Sequence, residues 1–301
     1  MSASDVRAAL VALVEPAPHL RWRWATTGDP LADDELSCAA LADDPDALAA
    51  AVAASAAGRG SDDPQVLASL WWQAYAYRVA GTALACWLLS GVAPDVRAER
   101  TAVGIARSRP SAVVYLLPAP APGPTTAVSA AGRRGDDSRP DRPEAMTGGG
   151  RTSSPRETAT GSHRLGTPGI AEPGAAADDL ATFVDRLFAG HLDRVAASLR
   201  ARHRLGGPLL WGNVAAACAS AVGAVHAVAG PSWPDRLSAF LSAAPHDLAA
   251  LGHWRWPAPP DRPDPSYRRT TCCLWWKTTA AAGSLCADCS LDRPPIATPH
   301  A

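Results

Sequence analysis

Apolar residues along this chain follow a helical period over most of its length. After Asp178-Asp179, the residues Phe183, Leu187, His191, Val195 and Leu199 recur every four positions and share one face of a helix. Gly206-Gly207-Pro208 ends that helix and opens another, from Leu209 to about Val228, whose many alanines predict close packing. A further short helix is expected over Pro234 to Ala244. In the N-terminal part, Asp62-Asp63-Pro64 sets an Asp cap before a first-turn Pro. The helix beyond it carries Leu67, Leu70, Trp71, Trp72, Tyr75, Val79 and Leu84, until Gly91 and Pro94 stop it. Two more helices are predicted, one capped by Ser4-Asp5 and running through Val14, and an Ala-rich one from Asp44 to Ala57. Strand signals are brief: Leu20 to Trp24 alternates as an edge strand would, and Thr101–Ile105 and Ala112–Leu117 read as a pair. Trp254 to Pro265 is proline-rich and reads as extended chain.

The pattern fails between Pro118 and Ala176, where Pro, Gly, Ser, Thr and Arg dominate and aromatic residues vanish. Such a segment cannot bury enough apolar surface to offset the entropy of ordering it, and is expected to be a disordered insert. The organisation that follows is an N-terminal helical and α+β half over 1–117, an insert over 118–177, a second helical half over 178–265, and a C-terminal cysteine segment over 266–292. The expected fold class is α+β, predominantly helical, with a small cysteine-rich segment at its C-terminal side.

Composition narrows the partners. A net charge of −1 over 301 residues argues against nucleic acid or an anionic membrane. The longest apolar run, Val79 to Ala93, is fifteen residues, short of the roughly 20 that span a bilayer, so a buried core helix is expected and no membrane span. Met1-Ser2-Ala3-Ser4-Asp5 lacks the basic start of a signal peptide. The expected location is therefore the cytoplasm, where thiols stay reduced.

That reading bears on the cysteines. Four of the seven stand close together as Cys272-Cys273 and Cys286-Ala287-Asp288-Cys289, with twelve residues between the pairs. A two-residue spacer lets both sulfurs of a C-x-x-C turn toward one metal, and an all-thiolate set selects zinc or an iron–sulfur cluster. Adjacent side chains diverge, so Cys272-Cys273 suits a cluster with two irons better than one tetrahedral ion. The spacing alone leaves zinc and iron–sulfur both open. Cys38, Cys86 and Cys218 lie in apolar helical stretches and read as small core residues.

With these residues in view, the chain resembles the ferric siderophore reductase family, also called ferric iron reductase FhuF-like proteins. The resemblance rests on the two cysteine pairs, on Leu210-Trp211-Gly212-Asn213-Val214-Ala215 opening an Ala-rich helix, and on His191-Leu192 about twenty residues before it. It covers Asp178 to Leu291 well and the helix from Leu67 to Arg78 more loosely. The spacer between the cysteine pairs is two residues longer than is usual in the family, a change that costs little closure entropy. The resemblance implies a [2Fe–2S] cluster on Cys272, Cys273, Cys286 and Cys289, with Cys286 and Cys289 expected on one iron. It implies an enzyme that reduces an Fe(III)-siderophore and releases Fe(II).

No G-x-G-x-x-G follows a strand, so electrons are expected from an external protein, a ferredoxin or a reductase. Ferric siderophores are bulky and often anionic, which makes aromatic and Arg residues natural partners. The candidate substrate residues are Trp71 and Arg78 on the N-terminal helix, Trp211 and Asn213, and Arg268 and Arg269 before the cysteines. Plain structural alternatives stand beside these: an aromatic core stripe with a snorkelling Arg for Trp71 and Arg78, a local backbone contact for Asn213, and solvated arginines for Arg268 and Arg269. His191, on an apolar face, reads as a packed core residue. The single lysine, Lys277, is a candidate cation beside the thiolates, and Asp288 is expected to face solvent. The alternative function is a non-catalytic siderophore-binding or scaffold protein with a structural zinc site.

Overall fold

A four-stranded sheet carries part of the N-terminal half. Strands β1 (Trp22–Thr26), β2 (Glu35–Ser37), β3 (Thr101–Ala106) and β4 (Arg109–Leu117) lie in the order β1-β4-β3-β2. β1 runs parallel to β4 at one edge, while β4–β3 and β3–β2 are antiparallel. The edge strand and the paired strands are those that the alternation predicts. This computed structural model describes residue 11 and residues 20–107, 109–117, 176–230, 232–256, 265–281 and 283–292. Most of the helix expected over Ser4–Val14 lies outside the described residues, as does the insert expected from Pro118, apart from its last residues: a helix begins at Ala176.

Helices pack on one another and on the sheet. Asp44 separates α1 (Cys38–Asp43) from α2 (Pro45–Ala54) and caps the second, its carboxylate accepting from the Asp46 and Ala47 N–H groups at 2.9 and 3.0 Å. Asp63 does the same for α3 (Pro64–Ala76), accepting from Gln65 N–H at 2.8 Å. Helix α3 continues through a π turn, Tyr77–Gly81, into α4 (Thr82–Ser90), which stops at Gly91 in the left-handed region, φ 72°. Only glycine takes that backbone without strain. Val79 to Leu88 is buried almost throughout, as a core helix should be.

The second half repeats the device. Helix α5 (Ala176–Leu187) passes through a π turn, Phe188–Leu192, into α6 (Asp193–Arg202). The predicted stripe Phe183, Leu187, His191, Val195 and Leu199 is buried along its length. Helix α7 (Gly207–Ala229) then crosses the middle of the molecule against α3, the first π turn and α4, and α8 (Pro234–Ala243) follows it. Among the described residues, α7 alone is long and apolar enough to cross a membrane, yet 67% of its most apolar window is buried inside the protein. The described residues on both sides of the insert share one hydrophobic core. The stretch expected to be extended from Trp254 starts as a strand: β5 (Gly252–Arg255) pairs antiparallel with β6 (Ser266–Arg269), both too short for alternation to show, and residues 257–264 between them lie outside the described residues.

His191 ties the halves together at the second π turn. Its ring is fully buried, with Nδ1–H donating to the Val96 carbonyl and Nε2 accepting from the Tyr75 hydroxyl. Burial outweighs the Val96 contact and pulls its pKa down to about 4. Above pH 6.5 neither the folded nor the unfolded chain binds this proton. Below 6.5 the unfolded chain takes it first, so each pH unit costs the fold about 1.4 kcal/mol, until the native ring titrates near pH 4. Denaturant unfolding at pH 7 and pH 4.5 is expected to show a drop of about 2–3 kcal/mol, with most of it absent in a His191→Gln variant.

Candidate metal centre

Strand β6 delivers the first cysteine pair, and its last residue fastens the second. The Arg269 N–H donates to the Asp288 carbonyl at 3.0 Å, lacing the Cys286–Cys289 loop to the strand that leads into Cys272-Cys273. Within the loop the Cys289 N–H returns to the Cys286 carbonyl at 3.1 Å, the tight turn that a two-residue spacer permits. Leu274 adopts φ 69° and reverses the chain after Cys273, which brings its N–H to the Cys272 sulfur at 3.3 Å. Leu291 N–H reaches the Cys289 sulfur at 3.4 Å. The Cys273 and Cys286 sulfurs lie 3.1 Å apart, joining the two motifs. Cys273 and Cys289 are buried, Cys272 and Cys286 half-buried.

Beneath the sulfurs runs a closed polar network. Arg269, 1% exposed, gives Nε and Nη2 to one Asp288 oxygen at 2.9 and 2.6 Å, and Nη1 to the Asn213 side-chain oxygen at 2.8 Å. Asn213 turns its amide to the Ser69 carbonyl at 3.3 Å, and the Ser69 hydroxyl donates to the Cys273 carbonyl at 2.9 Å. The circuit therefore runs from one cysteine pair through α3 and α7 to the other. Close backbone approach makes it possible. A side chain at Gly212 would place its Cβ 1.9 Å from the Thr271 hydroxyl. The turn before α3 adds a second seat, with Thr279 N–H on the Gly60 carbonyl at 3.0 Å and Lys277 4.0 Å from Asp63.

The thiols divide sharply by environment. Burial alone pushes Cys38 up to about 11 and Cys86 and Cys218 up to about 12, so these remain inert thiols. Cys273 moves the other way, to about 6, because Cys286 hydrogen-bonds to it and the Arg269 charge and the Trp275 N–H assist against burial. The Cys286 thiol, as the donor of that pair, is pushed up. Thiolate is the form that binds metal. Among the described residues no three His, Cys, Asp or Glu side chains come close enough together to hold a metal ion. The sulfurs that meet are those of Cys273 and Cys286, while the Cys272 and Cys289 sulfurs each accept from a backbone N–H.

The other sequence-predicted residues are placed differently. Trp71 is fully buried and stacks on Tyr75 at 5.2 Å, so it belongs to the core and not to a ligand surface. Arg269 and Asn213 are enclosed in the network above and cannot meet a ligand from solvent; they position the cysteine loops instead. Arg268 is exposed but also holds the loop, donating Nε to the Cys289 carbonyl at 3.1 Å and pairing with Asp292. Trp211 is half-buried and stacks flat on His246, 3.7 Å between centroids, with Trp72 and Phe188 at its other contacts. Arg78 sits half-buried in the first π turn. Asp288 does not simply face solvent, since it carries the ion pair to Arg269. The cation beside the sulfurs is thus Arg269, while Lys277 reaches toward Asp63 and the Trp276 ring. Ser69 and Gly212 escaped the sequence reading, and only the tight packing expected of the Ala-rich helix hinted at Gly212.

Two shallow clefts open on Cys286. One, of about 350 Å³, lies between α7 and the loop and is lined by Gln73, Tyr77, Tyr267 and Asp288 among others. The other, of about 310 Å³, lies on the far side of the loop between Arg268 and Leu291. In a comparison with protein families, residues 69–250 match the family described as ferric iron reductase FhuF-like transporter. The match spans more than half of the chain and stops short of the cysteine segment. No curated protein matches the chain.

Two substitutions test the seat of the cysteines. Arg269→Met leaves Asp288 and Asn213 without their buried partner and is expected to cost about 3–5 kcal/mol in urea unfolding. Gly212→Ala forces the helix and Thr271 apart and is expected to cost about 1–3 kcal/mol. Both losses should be accompanied by faster alkylation of Cys273, measured by mass spectrometry of the folded protein.

Proposed function

The chain belongs to the ferric iron reductase FhuF-like family, and we propose that it takes single electrons from a donor protein and delivers them to the ferric iron of a siderophore. In this reading the iron leaves as Fe(II), the donor is a reduced ferredoxin or a reductase, and the reaction runs in the cytoplasm. Cys272, Cys273, Cys286 and Cys289 would hold a [2Fe–2S] cluster. When bound by four thiolates, such a cluster supplies one-electron reducing power toward the low end of a range of roughly −700 to +450 mV.

The observation that carries this reading is the four-thiol site seated on the matched part of the chain, through Ser69 and Asn213. A siderophore that favours Fe(III) lowers the iron's potential by about 59 mV for every tenfold of preference. A strongly reducing thiolate site answers that demand. The protein's own residues then have defined tasks. Arg269 sets a buried positive charge near sulfurs that gain negative charge, and Asp288 limits its effect by pairing with it. The N–H groups of Leu274 and Leu291 steady the outer sulfurs. Trp275 and Trp276 stand half-buried in the turn after Cys273, and the two clefts that open on Cys286 offer the approach.

Protein purified without oxygen is expected to show the red-brown absorption of a [2Fe–2S] centre, which bleaches on chemical reduction. Serine at any of the four positions should abolish or shift that absorption. Alanine at Cys86 or Cys218 should leave the spectrum unchanged. Stopped-flow mixing of reduced protein with ferric siderophores, with an Fe(II) trap present, should reoxidise it faster than buffer alone. A colourless, zinc-containing preparation would overturn the reading and favour a binding role.

A further inference from the structure

Two of the four clustered sulfurs touch, and they belong to different motifs. Cys273 follows β6 and Cys286 opens the C-x-x-C loop, with their sulfurs 3.1 Å apart. The outer two are engaged elsewhere: the Cys272 sulfur accepts from the Leu274 N–H at 3.3 Å, and the Cys289 sulfur from the Leu291 N–H at 3.4 Å. The central contact is held from outside the pair. The Arg269 N–H reaches the Asp288 carbonyl at 3.0 Å and its guanidinium takes the Asp288 carboxylate, so strand and loop are fastened beside both cysteines. The Ser69 hydroxyl holds the Cys273 carbonyl at 2.9 Å. Folding has therefore already closed the loop that a bond between these two sulfurs would need.

Access to the pair is one-sided. Cys273 is 1% exposed, whereas Cys286 is half-buried and lines both clefts, one beside Tyr77 and Tyr267, the other beside Arg268 and Leu291. A reagent entering either cleft meets Cys286, with Cys273 in contact behind it. An accessible thiol backed by an enclosed one suits thiol–disulfide exchange, in which the first sulfur captures a partner and the second displaces it. The other pairings fit less well. Adjacent residues have Cα atoms about 3.8 Å apart, below the roughly 4.4 Å minimum of an unstrained bridge, which sets Cys272–Cys273 aside. A Cys286–Cys289 bond would take the Cys289 sulfur from the Leu291 N–H and the Cys286 sulfur from Cys273.

We propose that, before its cysteines carry a metal group, the protein is a thiol–disulfide exchange site: Cys286 captures a low-molecular-weight disulfide of the glutathione class, and Cys273 resolves it into a Cys273–Cys286 bridge. Cys286 attacks one sulfur of the small disulfide while the Cys273 thiolate accepts its proton, and the first small thiolate leaves. That thiolate takes the proton from Cys273 and departs as a thiol. Cys273 then attacks the Cys286 sulfur and expels the second small thiolate. Two protein sulfurs are oxidised to one bridge, and one small disulfide is reduced to a thiol and a thiolate. The bridge removes one sulfur from each motif. On the reductase reading, a bridged chain therefore cannot be loaded until a thiol reductant reopens it.

Full-length protein, stripped of metal by a chelator and reduced, is exposed to glutathione disulfide, alkylated and digested for mass spectrometry. The Cys273–Cys286 cross-link should exceed every other pairing at least tenfold, and that preference should vanish in urea. Cys273→Ser should stop at a glutathione adduct on Cys286, while Cys272→Ser and Cys289→Ser should still form the bridge. The cross-link in the unaltered chain decides the matter even if a variant fails to fold. A Cys286–Cys289 bridge as main product, a lasting glutathione adduct in the unaltered chain, or the same preference in urea would overturn the proposal. Cadmium(II) titrated into the reduced chain should give thiolate-to-metal absorption that the bridged chain lacks; equal absorption in both would overturn the block on loading. If the bridge forms as expected but protein purified without oxygen is colourless, the exchange site stands and the reductase reading falls.

Discussion

A charge buried under the sulfurs governs how the two cysteine motifs meet. Arg269 sits in the interior with no access to water, and a guanidinium there must satisfy its donors within the protein. Its acceptors come from two places, Asp288 between the last two cysteines and Asn213 in the central helix. Buried ion pairs contribute little net stability compared with apolar packing, but removing one partner is expensive, and this asymmetry makes them good at enforcing a single geometry. The network thus acts as a register pin for loops that otherwise have little regular structure.

The same charge sets Cys273 apart from the other thiols. Cys38, Cys86 and Cys218 stand in apolar surroundings where a thiolate is unsupported. Of the others, Cys273 is drawn down by its hydrogen bond from Cys286 and by the Arg269 charge, while burial pushes Cys272 up and Cys286, the donor of that pair, is pushed up as well.

Much of this was legible from sequence because it rests on local rules. The caps at Asp44 and Asp63, the stop at Gly91 and the stripe from Phe183 to Leu199 follow from backbone donors and helical period. The four cysteines stood out by spacing. The roles of the polar residues did not, because they depend on partners far along the chain: Asn213 on Arg269, Arg269 on Asp288, Ser69 on Cys273. An arginine before a cysteine pair reads as a surface ligand contact until the fold encloses it. The π turns were likewise invisible, since one extra residue in a helix leaves no mark on a four-residue repeat. Strands β5 and β6, four residues each, are below the length at which alternation can be distinguished from chance.

The closed circuit through Ser69, Asn213, Arg269 and Asp288 also carries an order of events. Its helical members are synthesised well before the cysteines, and translation delivers the N-terminal part first. Ser69 and Asn213 can already be fixed in packed helices when Arg269 leaves the ribosome, so the nascent cysteine segment arrives at a finished mould. On the proposed reading, loading of the metal group would then be a terminal step of maturation, performed on a body that has already folded. Errors in that step would strand an otherwise intact protein, which makes the supply of the inorganic group, and not folding of the helices, the natural point at which a cell could ration how much of the protein becomes competent.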